Sequence, residues 1–268
     1  MDALASARAC AENPYVVDPI EIESRPPKPD LPGSVVLRPL RDDLVDSIAA
    51  DVLFQARACV QRFGDFHLAL SAGDVLEALY RRLMYDPNFR DLPWKRTHLW
   101  LAHETRAGAA QPGATYAAVN ALIVQHSDIP LAQVHPIDAN DPDAHLRYEQ
   151  SLKDVLEWRE KGHDRLDCVL LTLGADGGVG GLKPHCPSVD DECPMVMRCG
   201  DGGADVTLTP RLLNASRFVG IVATGEQVRD CVTRLEARAS TAIDLPAVAI
   251  NPVGGELRWY LDSDACPE

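Results

Sequence analysis

Two stretches of the sequence place small residues and isolated acids where an apolar strand pattern ends. Leu170–Pro184 reads LLTLGADGGVGGLKP, an apolar run that becomes a glycine-rich loop with Asp176 as its single acid. Ser71–Asp74 ends a second apolar run and opens a helical pattern, where free backbone N–H groups can bind an anion. The glycine loop contains no base, nucleophile or metal-ligand set, so it leaves open whether this is an active site.

The glycine loop does not match the nucleotide-binding motifs. Lys183 follows Leu182 and precedes a proline, so there is no Gly-Lys-Ser/Thr sequence of a Walker A loop. The G-x-G-x-x-G spacing of dinucleotide sites is also absent. We therefore expect no cofactor.

Three of the eight cysteines lie near one another and near a histidine, which raises the question of a metal site. Cys59 and Cys168 lie in apolar runs and are interpreted as small buried hydrophobic residues. Zinc sites favour closely spaced cysteine pairs, and C-x2-C is absent. The cluster in question is His185, Cys186, Cys193 and Cys199. We expect it to bind no metal and to form a surface loop with free thiols, because a reducing compartment is the default.

Strand and helix patterns alternate from residue 35 onward. The strand patterns are apolar throughout, which is typical of a parallel sheet covered on both faces. The sequence therefore predicts one α/β domain with a doubly wound, mostly parallel, Rossmann-like sheet over 35–268. The predicted strands are 34–40, 66–71, 97–104, 131–137, 167–174 and 217–225, with PAVAINP and ELRWYLD closing the chain, and the predicted helices are 42–62, 74–84, 114–126, 145–161 and 226–240.

Residues 1–34 are predicted to form an extended, proline-rich arm. The segment 25–33 reads RPPKPDLPG, which favours a polyproline-like conformation over a core of its own. Such an arm suits the binding of another protein, and we expect protein partners through it.

Charge and hydropathy exclude several classes of partner. The net charge of −14 and the pI of about 4.9 disfavour nucleic acid and anionic membrane surfaces. No apolar run reaches the roughly 18–20 residues of a membrane helix, and the first residues lack the basic start and apolar centre of a secretory signal. A cytoplasmic protein without membrane insertion is expected.

Five separated segments resemble the 6-phosphogluconolactonase family, whose fold is similar to that of glucosamine-6-phosphate deaminases. They occur in the family's order over roughly residues 45–263, and two of them look most like the lactonase domain of the bifunctional hexose-6-phosphate dehydrogenase/lactonase of the endoplasmic reticulum. The resemblance implies a lactonase-type α/β fold. The segments are FHLALSAGDVLEALY, THLWLAHETR, DCVLLTLGADGGVGGLKP, VTLTPRLLNASRFVGIVATGEQ and GGELRWYLD.

The resemblance also implies a phosphate cradle, which the family builds from S-G-G-S-T-P. A β-carbon at Ala72 obstructs close backbone approach, and Asp74 places a carboxylate where a phosphate dianion should sit. Like charges 4 Å apart repel by about 4 kcal/mol at an effective dielectric of 20. We interpret Asp74 as a helix N-cap and expect sugar-phosphate binding to be lost. The matching positions begin with Ser71, Ala72, Gly73 and Asp74.

The resemblance places the remaining site residues on two further strand ends and one helix. The family's D-E-R becomes His103, Glu104 and Thr105, so the arginine is replaced. In the family's D-G-H-T-A-S loop the histidine activates the attacking water; here Asp176 is retained and Gly178 stands in place of that base. The family's later lysine falls near Val228 and Arg229. The changes together predict that catalysis has been lost, because removing a general base alone typically costs 10²–10⁴-fold.

Three functions remain open at this point. The first is a non-catalytic protein that keeps the fold and binds other proteins. The second is a working lactonase in which His103, oriented by Asp176, acts as a relocated base; a deaminase or isomerase is less expected. The third is a binder of another small ligand in the altered cleft.

Overall fold

A seven-stranded parallel sheet is the centre of the protein, seen in a computed structural model that describes residues 26–107, 113–157, 165–186 and 194–267. Its strand order is β1-β10-β9-β6-β2-β3-β5, and every neighbouring pair is parallel. The strands of the described residues are β1 (Ser34–Leu37), β2 (Phe66–Leu70), β3 (Thr97–Leu101), β4 (His103–Thr105), β5 (Val134–His135), β6 (Cys168–Thr172), β7 (Val196–Cys199), β8 (Asp205–Leu208), β9 (Phe218–Ala223) and β10 (Glu256–Leu261).

Helices follow most of the sheet strands. The first helix buries residues at helical spacing, such as Leu44, Ile48 and Val52, and it ends where Gly64 adopts φ 91°. No helix in the described part of the chain is long and apolar enough to cross a bilayer. The α-helices are α1 (Arg41–Phe63), α2 (Asp74–Tyr85), α3 (Ala114–Val119, continued by a π-turn at Asn120–Val124), α4 (Ala144–Leu156), α5 (Pro210–Ala215) and α6 (Arg229–Glu236).

The predicted fold class is confirmed. All five residues of β2 and all six of β9 are buried, because helices cover both faces of these central strands. The predicted helix over 226–240 is shorter than expected, since Glu226–Val228 form a 3₁₀ turn and α6 ends at Glu236.

A second sheet was not predicted. The prediction of one strand over 97–104 is wrong, because the chain leaves the large sheet at Ala102 and enters a three-stranded antiparallel sheet of order β4-β8-β7. Ala102, between β3 and β4, is hydrogen-bonded to both sheets: its N–H donates to the Leu70 carbonyl at 2.8 Å, and its carbonyl accepts from the Leu208 N–H at 2.9 Å. This junction brings β4 to the carboxyl end of the large sheet.

The last part of the predicted arm packs against the domain, while residues 1–25 lie outside the described residues. Leu31 is only 5% exposed and joins the core. The Trp259 indole N–H donates to the Pro32 carbonyl at 2.9 Å. Gly33 has φ 85°, and a β-carbon there would lie 2.4 Å from the Leu257 carbonyl oxygen. The division of the chain after residue 34 stays a prediction.

Candidate functional site

A cleft of about 190 Å³ lies at the carboxyl ends of β2 and β6, beside the small sheet. This is the position at which open α/β sheets bind ligands. Two of the three strand ends singled out in the sequence contribute polar or charged side chains to it, and Lys183 adds a cation. The lining residues are Ala72, His103, Thr105, Thr172, Gly174, Asp176, Gly178, Gly180, Gly181, Leu182, Lys183 and Asp205.

The glycine loop is folded back on itself. Val179 forms antiparallel bridges with both Leu173 and Leu182, and the Gly174 N–H donates to the Gly178 carbonyl at 2.8 Å. The Asp176 carboxylate accepts from the Gly178 N–H at 2.9 Å. The retained acid is therefore bonded to its own loop.

Gly178, at the position that the resemblance assigns to the catalytic base, sits on a tightly closed part of this loop. A β-carbon on Gly178 would lie 2.9 Å from the Leu182 carbonyl oxygen and 3.0 Å from an oxygen of Asp176. A side chain at this position would require the loop to shift. In its present form the loop offers no proton acceptor there other than Asp176.

His103 lies at the start of β4 and packs directly on the glycine loop. A β-carbon on Gly181 would come within 2.5 Å of the His103 β-carbon, so the contact depends on glycine. The Nδ1 atom of His103 is enclosed and has no hydrogen-bond partner within the described residues. Burial lowers the pKa of His103, Asp205 opposes this shift, and the Lys183 ammonium adds to it. The imidazole is therefore held neutral.

The carboxylate that acts electrostatically on His103 is Asp205, and the predicted orientation of His103 by Asp176 is not seen. His103 and Asp176 line the same cleft, but the carboxylate of Asp176 bonds Gly178 instead.

A partly exposed ion pair that was not predicted from the sequence lines the cleft. The Lys183 ammonium lies 2.7 Å from Asp205, whose side chain is 1% exposed. The other carboxylate oxygen of Asp205 accepts from the Thr105 hydroxyl at 2.5 Å. The hydrogen bond to Asp205 raises the pKa of Lys183, so the lysine stays charged and its charge is compensated. A lysine that directly follows a glycine loop was the available signal for it.

Glu104 accepts hydrogen bonds from three backbone N–H groups and so has a structural role. One carboxylate oxygen accepts from the N–H groups of Thr105 at 3.0 Å and Thr115 at 3.1 Å, and the other accepts from Tyr116 at 2.7 Å. Two of these donors belong to the first turn of α3, so Glu104 satisfies the free amides of that helix. Burial raises the pKa of Glu104, and the three backbone donors oppose that shift.

The prediction that Asp74 caps α2 is wrong. Gly73 occupies the N-cap position with φ 143°, a conformation that glycine tolerates, and α2 has no side-chain cap. Asp74 is the first helical residue and is exposed, so its carboxylate adds negative charge at the helix start. The Ser71 side chain is fully buried, and the Ala72 carbonyl accepts from the Thr172 hydroxyl at 3.3 Å.

Arg229 is directed away from the cleft toward the last described residues. Its Nε donates to the Asp264 carbonyl at 2.9 Å, and its guanidinium lies 3.7 Å from Glu226. It is not among the residues that line the cleft. A one-residue shift therefore does not place Arg229 where the family's lysine would act.

The expectation of free thiols at the cysteine cluster is wrong for two of its members. Cys186 and Cys199 are joined in a disulfide, with their Cα atoms 5.7 Å apart. The end of β7 and the exit of the glycine loop converge there, which a separation of 13 residues in sequence does not reveal. Cys193 lies outside the described residues, and the disulfide removes two thiolates from the set that would have held a metal.

One other group, Asp65, His67 and His98, could hold a metal ion by distance, since one donor atom of each lies within 4.8 Å of the others. Its hydrogen bonds do not fit that role. His67 accepts from the Trp100 indole N–H at Nδ1 and contacts Asp65 at Nε2, both at 3.1 Å. The rings of His67 and His98 are stacked 4.6 Å apart, so their nitrogen lone pairs do not converge. We interpret the group as a satisfied polar network of the sheet.

Comparison with known proteins identifies the family to which this fold belongs. The family described as Glucosamine-6-phosphate isomerases/6-phosphogluconolactonase matches residues 39–259. The chain is 26% identical over 231 residues to a 6-phosphogluconolactonase of Haemophilus influenzae, covering 85% of this chain and 96% of that protein. It is 29% identical over 231 residues to the human GDH/6PGL endoplasmic bifunctional protein, covering 84% of this chain.

The chain spans only 29% of the length of that human bifunctional protein and of its rabbit counterpart. Among solved structures, a devB protein superposes with a TM-score of 0.74 at 26% identity, covering 87% of this chain and 97% of that one. A 6-phosphogluconolactonase of Trypanosoma cruzi has the same fold, with a TM-score of 0.72 at 18% identity over 88% of this chain and 96% of that one. The match over residues 39–259, with the strand order and the cleft at the strand ends, shows that the chain belongs to the glucosamine-6-phosphate isomerase/6-phosphogluconolactonase family.

Proposed function

We propose that this family member does not hydrolyse 6-phosphogluconolactone and acts as a non-catalytic, protein-binding subunit. The observation that carries the proposal is Gly178, which occupies the position of the family's base on a loop without room for a side chain. Without a base, the attacking water keeps its proton, and the rate falls by the 10²–10⁴-fold that general-base catalysis typically contributes.

The charges in the cleft support the same proposal. Of the residues that line it, Lys183 is the one permanent cation, and Asp205 already compensates it. Asp176 lines the cleft as a second carboxylate. A phosphate dianion would thus enter a cleft with excess negative charge and would gain no uncompensated cation. Sugar-phosphate binding is therefore not part of the proposed function.

The first test is hydrolysis of 6-phosphogluconolactone by the purified protein, measured against the spontaneous rate. We expect no acceleration by the wild type and none by His103→Ala. The Haemophilus influenzae relative serves as the positive control in the same assay. Acceleration by the wild type well above the spontaneous rate would contradict the proposal.

A second candidate is a lactonase that uses His103, and one observation favours it. His103 is a neutral imidazole in the cleft that also contains Asp176. It would take a proton from a water molecule whose oxygen attacks the lactone carbonyl; the ring C–O bond would then break, and the ring oxygen would receive a proton. Hydrolysis that is lost in His103→Ala but kept in His126→Ala, an exposed histidine, would select this candidate.

We propose that the arm, residues 1–34, binds the protein partners. Deleting residues 1–25 leaves the segment that packs on Trp259 in place, and so tests the arm without disturbing the domain. We expect the deletion to reduce co-purification of partners from the native cytoplasm, the location that we propose. Leu31→Ala, which alters the packed segment only, is the matched control. Equal recovery of the same partners after the deletion would remove the arm as the interaction element.

A further inference from the structure

Two links join the exit of the glycine loop to the small antiparallel sheet. The first is the disulfide between Cys186 and Cys199, at the end of β7. The second is the ion pair between Lys183 and Asp205, at the start of β8. The two links lie close together along both segments, and Gly181, Leu182 and Lys183 of the first segment line the cleft.

The disulfide positions both residues of the ion pair, Lys183 and Asp205. The Cys186 N–H donates to the Lys183 carbonyl at 3.1 Å, which closes a turn between the bonded cysteine and the lysine. Gly200 directly follows Cys199, and a β-carbon there would lie 2.4 Å from Asp205 Oδ2 and 3.4 Å from Lys183 Nζ. The covalent bond therefore fixes both sides of the contact that holds Lys183 in the cleft.

We propose that the disulfide between Cys186 and Cys199 is a site of thiol–disulfide exchange whose state sets the position of residues 181–186, of which Gly181, Leu182 and Lys183 line the cleft. The reaction needs a dithiol reductant. One of its thiolates attacks the Cys186 sulfur, and the Cys199 thiolate leaves and is protonated. The second thiol of the reductant then displaces Cys186, giving a cyclic disulfide and two protein thiols.

The solvent exposure of Cys186 makes this disulfide accessible to a dithiol reductant. Cys186 is partly exposed, whereas Cys199 is 2% exposed, so the attack occurs at Cys186. The other cysteines of the described residues are all buried: Cys59, Cys168, Cys231 and Cys266. These buried thiols do not readily attack the disulfide themselves, because exchange requires an accessible thiolate.

Opening the disulfide leaves residues 181–186 with weaker restraints. The Lys183 side chain is 48% exposed, so solvent screens its remaining bond to Asp205. The next restraint is the His185 N–H, which donates to the Ile243 carbonyl at 2.8 Å. We expect residues 181–186 to open locally much more often in the dithiol form.

The test is amide hydrogen exchange on the full chain, in the oxidised state and after reduction with dithiothreitol. Exchange at Leu182, His185 and Cys186 should be about tenfold faster after reduction, while β2 is unchanged. The double variant Cys186→Ser/Cys199→Ser should exchange fast in both conditions. Cys266→Ser, which removes a buried free thiol, should keep the wild-type difference.

Two results would overturn the inference. One is peptide mapping of the mildly oxidised protein that finds Cys186 and Cys199 unlinked. The other is equal exchange at residues 182–186 in the two states of the wild type, a comparison that stands even if the double serine variant fails to fold. Neither measurement uses lactone hydrolysis, so failure of this inference can be distinguished from failure of the proposed function.

Discussion

Replacing Glu104 with alanine should lower the free energy of unfolding by about 3 kcal/mol, because three N–H groups lose their acceptor at about 1 kcal/mol each. The donors are the backbone amides of Thr105, Thr115 and Tyr116, and Glu104 itself is 1% exposed. Urea denaturation followed by circular dichroism measures the loss. If Glu104 were instead a residue kept for catalysis, its removal would leave stability close to that of the wild type.

Two further variants sharpen this prediction. Glu226→Ala is the matched control, since its side chain is 78% exposed and the change should alter stability by less than about 0.5 kcal/mol. Gly113→Ala should destabilise as Glu104→Ala does, because a β-carbon there would lie 2.0 Å from the Glu104 carboxyl carbon. A stable Gly113→Ala protein would show that Glu104 is not needed in this position.

Acidification should destabilise the protein through His135. Burial, followed by the charges of His98 and His67, lowers the pKa of His135 to about 3, whereas an unfolded histidine titrates near 6.5. Between these values the unfolded state binds the proton and the folded state does not. The free energy of unfolding should therefore fall as pH decreases from 6.5 toward 3, by at most about 1.4 kcal/mol per unit, and by less where water reaches the ring.

The difference between the wild type and His135→Phe isolates this contribution from the titration of carboxylates. His135→Phe keeps an aromatic ring against Trp100, on which His135 stacks at 3.7 Å, and should lose stability less steeply below pH 6.5. His126→Phe, at an exposed position, should follow the wild-type profile. Parallel profiles for the wild type and His135→Phe between pH 6.5 and 4 would contradict the assignment.

The large sheet could be predicted because its central strands are buried and form continuous apolar runs in the sequence. FHLAL and FVGIVA are strands of this kind, and the structure places them in the centre. The small sheet could not be predicted in the same way. Ala102 is apolar and fits a continuing strand pattern, and only its hydrogen bonds to Leu70 and Leu208 show that the chain changes sheets there.

In the candidate site, too, features that are local in sequence could be predicted and long-range contacts could not. The position of the glycine loop, with Gly178 in it, follows from a local motif. The partners of Lys183 and Glu104 cannot be predicted from a local motif. Asp205 and the start of α3 lie outside these motifs and reach the two side chains only after the chain has folded. The disulfide was missed for the same reason: its two cysteines become neighbours through the meeting of a loop and a strand end.

The position of β10 has a consequence for synthesis on the ribosome. This strand lies between β1 and β9, and its Arg258 bonds Ser34, which is 224 residues earlier. At 5–20 residues per second, β1 waits roughly 10–45 s for its partner. During that time β1 has unpaired backbone groups that can join strands of other chains, and the edge of β9 has them for the shorter interval between its own synthesis and that of β10. The nascent protein should therefore depend on chaperones until translation has passed residue 261.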